Sequence, residues 1–357
     1  MSEKIKLGEL GEVVSGSTPK TNIKDYWDGE NLWITPAEIQ EDDYYIADTQ
    51  RKITNLAVEK TNLKLLPKGT VLLSSRAPIG KVAICDNDMY CNQGFKNIIC
   101  SDRLENRYVY YFLKYNVEYI KSLGRGATFK EISKGIVENL EIPYIEKKEQ
   151  IEIANKLDKI TEILKIKKQQ IKQFDEIIKS QFVEMFENKN YEKLSGKELF
   201  SFSSGKFLEA SKRLENGVPV YGGNGVAWYT DEPLIDFNTI VIGRVGAYCG
   251  NVKLIKEPVW ITDNAIFIKQ FKKDVYNIDF LYYMMELVDF SRFAQFSGQP
   301  KITQKPLEEF NYVVPPIQEQ IKFSNIVKQI DKQKFEIENS LKEMQELYEA
   351  LMERYFG

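Results

Sequence analysis

The chain has 357 residues, 43% hydrophobic and 28% charged, with a formal net charge of −3; it has room for two or three domains, and its composition is ordinary for a soluble protein. No apolar run approaches the roughly 20 residues of a membrane span and no signal peptide opens the chain, so a cytoplasmic protein without membrane partners is expected. Histidine is absent, which removes the commonest general base, and the four cysteines form no C-x-x-C pair, so no metal site is expected and reduced thiols are the plain reading.

Residues 1–146 have a mixed pattern. Lys6-Leu7-Gly8-Glu9-Leu10 leads into the turn-rich Ser15-Gly16-Ser17-Thr18-Pro19. Asn31-Leu32-Trp33-Ile34 and Thr70-Val71-Leu72-Leu73 read as short strands. Residues 106–120 are aromatic-rich with a helical period. A second turn region, 124–130, precedes the strand-like Leu140-Glu141-Ile142-Pro143.

Residues 147–188 then form a long helix. Its seam is Leu157, Ile160, Leu164, Lys167, Ile171, Phe174, Ile178, Gln181 and Met185, in alternating steps of three and four that suit lengthwise packing on another helix. Lys167 and Gln181 are polar there, and either set register or snorkel past the seam.

From about Tyr191 the sequence starts over. Ser203-Ser204-Gly205 echoes the Ser15-Gly16 turn, and Thr239-Ile240-Val241-Ile242 ends in Gly243-Arg244 as Thr70–Leu73 ends in Ser74-Ser75-Arg76. Tyr282-Tyr283 echoes Tyr110-Tyr111. Glu149-Gln150-Ile151 returns as Glu319-Gln320-Ile321 at the head of a second long helix, 317–357. Its seam is Val327, Ile330, Lys334, Ile337, Leu341, Met344, Tyr348, Leu351 and Tyr355. The long connector permits either direction of packing. Antiparallel is expected, because two-fold pairing is the commonest closed symmetry.

The most distinctive runs are Gly16-Ser17-Thr18-Pro19 with Tyr26-Trp27 and Trp33-Ile34, then Val218-Pro219-Val220-Tyr221-Gly222-Gly223-Asn224-Gly225 with Ile242-Gly243-Arg244-Val245-Gly246. The junctions Ile142-Pro143…Glu149-Gln150 and Val314-Pro315-Pro316…Glu319-Gln320 complete the set. In this order, over essentially the full chain, they resemble the specificity subunit of Type I restriction–modification enzymes. The resemblance implies an α+β fold in which two target-recognition domains, 1–146 and 189–316, are joined by two long antiparallel coiled-coil helices in a pseudo-two-fold duplication. It implies a non-catalytic chain that reads a bipartite double-stranded DNA target. The helices would set the spacer and dock two methyltransferase subunits, and motor-nuclease subunits would join them. No cofactor is expected in this chain; S-adenosylmethionine, ATP and Mg would belong to those partners. The recognition chain of a Type IIB-like restriction system, or a helical scaffold without DNA binding, stays open as an alternative.

Loops are the expected readers, since strand and helix faces build the core. The first unit offers Ser17, Thr18, Lys20, Ser75, Arg76, Lys81, Gln93, Arg125, Thr128 and Lys130. The second offers Lys206, Tyr221, Asn224, Arg244, Tyr248, Asn251, Asn264, Gln299 and Lys301. Arginine presents a fork to guanine, and Asn or Gln a matching pair to adenine. Arg76 and Arg244 stand out because both follow the duplicated strand; the plainer reading of Arg244 is a surface salt-bridge partner. The stripes Tyr108, Tyr111, Tyr115, Tyr119 and Phe280, Tyr283, Leu287 read as core rather than base-stacking platforms. Ile163, Ile166, Ile177 and Phe182 are apolar positions off the seam that either partners or the globular units cover. No P-loop and no Asn-Pro-Pro-aromatic methyltransferase motif occurs.

Overall fold

The computed structural model describes residues 3–76, 78–126, 130–295 and 299–357. They form two compact units: Met1–Lys167 with Ser340–Gly357, and Lys168–Asn339. Each unit therefore takes part of both long helices.

In unit 1 a five-stranded sheet is built from β1 (Gly11–Ser15), β2 (Tyr45–Ile46), β3 (Val71–Leu73), β4 (Val82–Cys85) and β5 (Lys96–Cys100), in the order β1-β5-β3-β4-β2. Val71–Leu73 is buried at every position, as a strand covered on both faces must be. Val71 and Leu73 face helix α1 (Asn106–Tyr115), while Leu72 faces a second layer with Ile34 and Cys91. That layer is a three-stranded sheet whose central strand, Trp27–Ile34, runs antiparallel to Arg51–Ile53 and parallel to Tyr90–Cys91. A ribbon of Lys4–Lys6 and Glu141–Pro143 closes the unit.

Unit 2 repeats this plan. Strands β6 (Phe200–Ser204), β7 (Thr239–Gly243), β8 (Val252–Ile255) and β9 (Ala265–Phe271) take the order β6-β9-β7-β8, which matches β1-β5-β3-β4. A three-stranded sheet centred on Val218–Gly222 again has one antiparallel neighbour, Gly225–Thr230, and one parallel neighbour, Trp260–Ile261. The ribbon pairs Glu192–Ser195 with Asn311–Val314. The helix against the sheet is α3 (Ile278–Leu287).

The long helices are α2 (Lys147–Phe182), continued by one π-turn over Val183–Glu187, and α4 (Ile317–Phe356). In unit 1 Leu157 of α2 shares a core with Met352 and Phe356, the last residues of α4. In unit 2 the end of α2 meets the start of α4: Phe182 lies 5.6 Å, ring to ring, from Phe323. The two helices are antiparallel. Leu157, Ile160, Leu164 and Val327 are buried; Ile171, Phe174, Ile178, Ile330, Ile337, Leu341, Met344 and Leu351 are half-buried. Lys334 sits among them, and its ammonium reaches Asp175 of α2 at 2.6 Å.

Gln150 and Gln320 do identical work at the helix heads. Each is fully buried. Gln150 Oε1 accepts from Glu105 N (2.9 Å), and Nε2 donates to Ile145 O (2.8 Å) and Arg103 O (3.1 Å). Gln320 accepts from Asn277 N (2.9 Å) and donates to Pro315 O (2.8 Å) and Val275 O (2.7 Å). One amide thus fastens a long helix to the head of α1 or α3, a task that needs both an acceptor and a donor.

The structure decides one open alternative and changes one expectation. Of the off-seam apolar positions, Phe182 is covered by its own unit, against Phe186, Phe280 and Phe323, while Ile163, Ile166 and Ile177 are exposed. The helical run over 106–120 is two helices, broken at Asn116, whose Nδ2 donates to Phe112 O.

Candidate nucleic-acid interface

The candidate loops are placed by the ends of β3 and β7, where the two units can be superposed residue by residue through their backbone bonds. Ser75 N donates to Gly94 O (2.7 Å), and Ser75 O accepts from Ile132 N (3.0 Å). Arg244 N donates to Asn264 O (2.9 Å), and Arg244 O accepts from Ile302 N (2.8 Å). Arg76 bridges Glu131 as Val245 bridges Lys301. Arg244 is therefore the counterpart of Ser75, and Arg76 that of Val245. The sequence echo is out by one because two serines stand between β3 and its arginine, where a single glycine follows Ile242.

In unit 1 the turn holds a charge network. Lys96, only 9% exposed in its side chain, lies 3.3 Å from Glu131 and 3.3 Å from Ser75 Oγ. Arg76 Nη1 approaches the other oxygen of Glu131 at 3.5 Å. Ser75 is fully buried, so its hydroxyl serves Lys96 and not the surface. Arg125 pairs with Glu131 through the backbone, at 3.0 and 2.9 Å. Residues 15–20 come to the same corner: Ser17 N donates to Cys91 O (2.9 Å), and the Thr18 hydroxyl hydrogen-bonds Gln93. Gly16 permits this crossing, since a Cβ there would stand 2.1 Å from Asn92 O. Lys20, Gln93, Arg125 and Lys130 are exposed; Thr128 lies outside the described residues. Lys81 is committed elsewhere, its ammonium donating to Pro36 O (2.9 Å) and Ile39 O (2.6 Å).

In unit 2 the same corner gathers the second set. Lys206 N donates to Ile261 O (2.8 Å), and Tyr221 O accepts from Thr262 N (2.9 Å). Gly243 lies under the carbonyls of Tyr248 and Gly223, 2.3 and 2.8 Å from where a Cβ would stand. Gln299 faces Gly246, and Asn251 O accepts from Gly243 N (2.8 Å). Lys206, Asn224, Tyr248, Asn251, Asn264, Gln299 and Lys301 are exposed. Arg244 Nη1 donates to Asp263 O (3.3 Å), while its Nε is buried and unpartnered among the described residues.

Residues 2–174 and 188–347 match the family of the Type I restriction modification DNA specificity domain. The chain belongs to this family. Its fold and sequence are those of a Type I specificity subunit. It is 42% identical over 186 residues to the Type I restriction enzyme MjaIX specificity subunit of Methanocaldococcus jannaschii, a match covering 51% of this chain and 42% of that one. It is 25% identical over 357 residues to the EcoprrI specificity subunit of Escherichia coli, covering 92% and 87%. The crystal structure of the S subunit from M. genitalium has the same fold, with a TM-score of 0.68 at 22% identity over 100% of this chain and 96% of that one.

In this specificity subunit the aromatic stripes serve the core. Tyr108, Tyr111, Phe280 and Tyr283 are buried, and only Tyr119 stands mostly exposed. Burial drives the Cys91 and Cys100 thiols up to about 12, which leaves them protonated and unreactive. Among the described residues, no group of three or more Cys, Asp or Glu is placed to hold a metal ion, and no helix is long and apolar enough to cross a membrane. Sequence reasoning missed Lys96 and Glu131, whose importance comes from burial and pairing. It also missed that Trp27 and Trp33 hold the candidate loop at residues 15–20, through Lys20 O (3.3 Å) and Ser17 O (3.1 Å). Their signal was present in the aromatic runs beside that loop.

Proposed function

We propose that each unit of this specificity subunit reads one half of a bipartite double-stranded DNA target in the cytoplasm, through the loops gathered at the ends of β3 and β7. The supporting observation is the shared register of those two corners: loops distant in sequence meet at one place, twice. The long helices set the spacing between half-sites, as a packed helical pair is stiffer than a linker. They also dock two methyltransferase subunits, and motor-nuclease subunits complete the restricting complex. The chemistry, with S-adenosylmethionine, ATP and Mg, belongs to those partners; this chain supplies address and assembly.

Genome-wide detection of N6-methyladenine, with and without the gene, tests this reading. A split motif carrying one modified adenine per strand and lost on deletion is the expected result. An unchanged methylome, together with co-purified partners that show no salt-dependent DNA affinity, would leave a scaffold instead. Inserting four residues, about 6 Å of helix, within 163–172 should change the accepted spacer; retention of the original spacer alone would overturn the ruler.

A further inference from the structure

The three-stranded sheet beside the reading loops carries the same device in both units, made from unlike residues. In unit 1 Trp33 stands on the central strand between Arg51 and Tyr90. In unit 2 Val220 holds that place, between Trp228 and Trp260. Residues directly opposed across strands project from one face. On that face each unit lays a guanidinium over an indole. Arg51 lies 3.6 Å from the centre of the Trp27 ring and 5.3 Å from that of Trp33. Arg213 lies 4.0 Å from the Trp228 ring. Both arginines are exposed. Among the described residues neither enters an ion pair.

Three of the four indoles tie this face to the reading loops; Trp228, the one under Arg213, has its Nε1 buried and unpartnered among the described residues. Trp27 and Trp33 hold the carbonyls of Lys20 and Ser17, and Trp260 Nε1 donates to Lys206 O at 3.0 Å. The arginines reach their places by different routes. Arg51 is on an edge strand, whereas Arg213 precedes Leu214, which is bridged to Tyr229. A guanidinium resting on an indole keeps its N–H edge free for two-point contact with an oxyanion, and less freedom is lost when it binds.

We propose that Arg51 and Arg213 each hold a backbone phosphate of the DNA beside the half-site read by their own unit. The inference rests on the DNA-reading function proposed above. A device shared by two units whose base-reading loops differ must grip what two different half-sites have in common, which is the sugar-phosphate backbone.

The test uses the full chain co-purified with its methyltransferase subunits, titrated at several salt concentrations with the target duplex and with one whose half-sites are scrambled. Arg51→Ala and Arg213→Ala are each expected to weaken both duplexes by the same factor, roughly tenfold. Each should also lower the slope of log K against log salt by about 0.9, with the methylated motif unchanged. Arg51→Lys and Arg213→Lys keep the charge and give up much of the stack; they should retain the slope while losing part of the affinity, and they separate the phosphate contact from any effect on folding. An undiminished slope in both alanine variants, or a loss confined to the target duplex, would overturn the proposal. A wild-type complex without salt-dependent affinity would instead overturn the DNA-reading function, and this inference with it.

Discussion

In unit 1 Arg107 of α1 is held by Asp158 of α2 at 2.7 Å, and in unit 2 the equivalent positions carry Asp279 of α3 and Lys328 of α4, which form the same pair with the charges exchanged. The candidate corners differ further: Glu131 lies between Lys96 and Arg76, whereas Lys301, in its place, is bridged to Val245 and enters no ion pair among the described residues. The glutamines at the helix heads, by contrast, are the same residue in the same bonds. An ion pair works with either partner positive, so divergence can swap it. A buried amide that must accept and donate at once has few substitutes.

The largest effect should come where the units agree. Gln150→Leu and Gln320→Leu each strand several buried backbone groups and should each cost about 3 kcal/mol, read as a lower denaturation midpoint. Unequal losses would break the equivalence of the two joints.

The exchanged pair comes next. Asp279→Arg sets like charges together and should cost about 2 kcal/mol after allowance for the exposed lysines; adding Lys328→Asp should recover most of it, measured as a coupling in a double-mutant cycle. Asp279 also predicts a pH signature. Burial pushes its carboxyl up, but Lys256 and Lys328 outweigh this and hold it below its ordinary value. Its folded value is depressed, so its stabilisation is present above about pH 4 and fades as pH falls through the folded value. Acid melts of Asp279→Asn should show that increment gone; an identical pH profile would count against the pair.

The smallest stability effects belong to these corners. Glu131→Ala leaves Lys96 without its carboxylate and should cost about 1 kcal/mol, with half-site discrimination in unit 1 relaxed as Arg76 loses its partner. Lys301→Ala should leave the melting temperature unchanged while lowering the salt slope of DNA binding by about 0.9. Equal behaviour of the two variants would erase the distinction between the corners.

The duplication, the two long helices and the Glu-Gln-Ile junctions are legible in the sequence, because helical period and a repeated buried amide are local patterns that packing does not permit to drift. So is the close backbone approach beside the candidate loop at residues 15–20, since Gly16 marks a place where only a hydrogen fits. Tertiary structure alone decided which residues correspond. The strand-end register that pairs Ser75 with Arg244 is counted through hydrogen bonds to Gly94 and Asn264, far along the chain. It alone also separated Lys81, whose charge is used inside the fold, from Lys20 and Lys206, whose charges face outward. A lysine's type is written in sequence, but the partner that claims its charge is chosen by residues that only folding brings near.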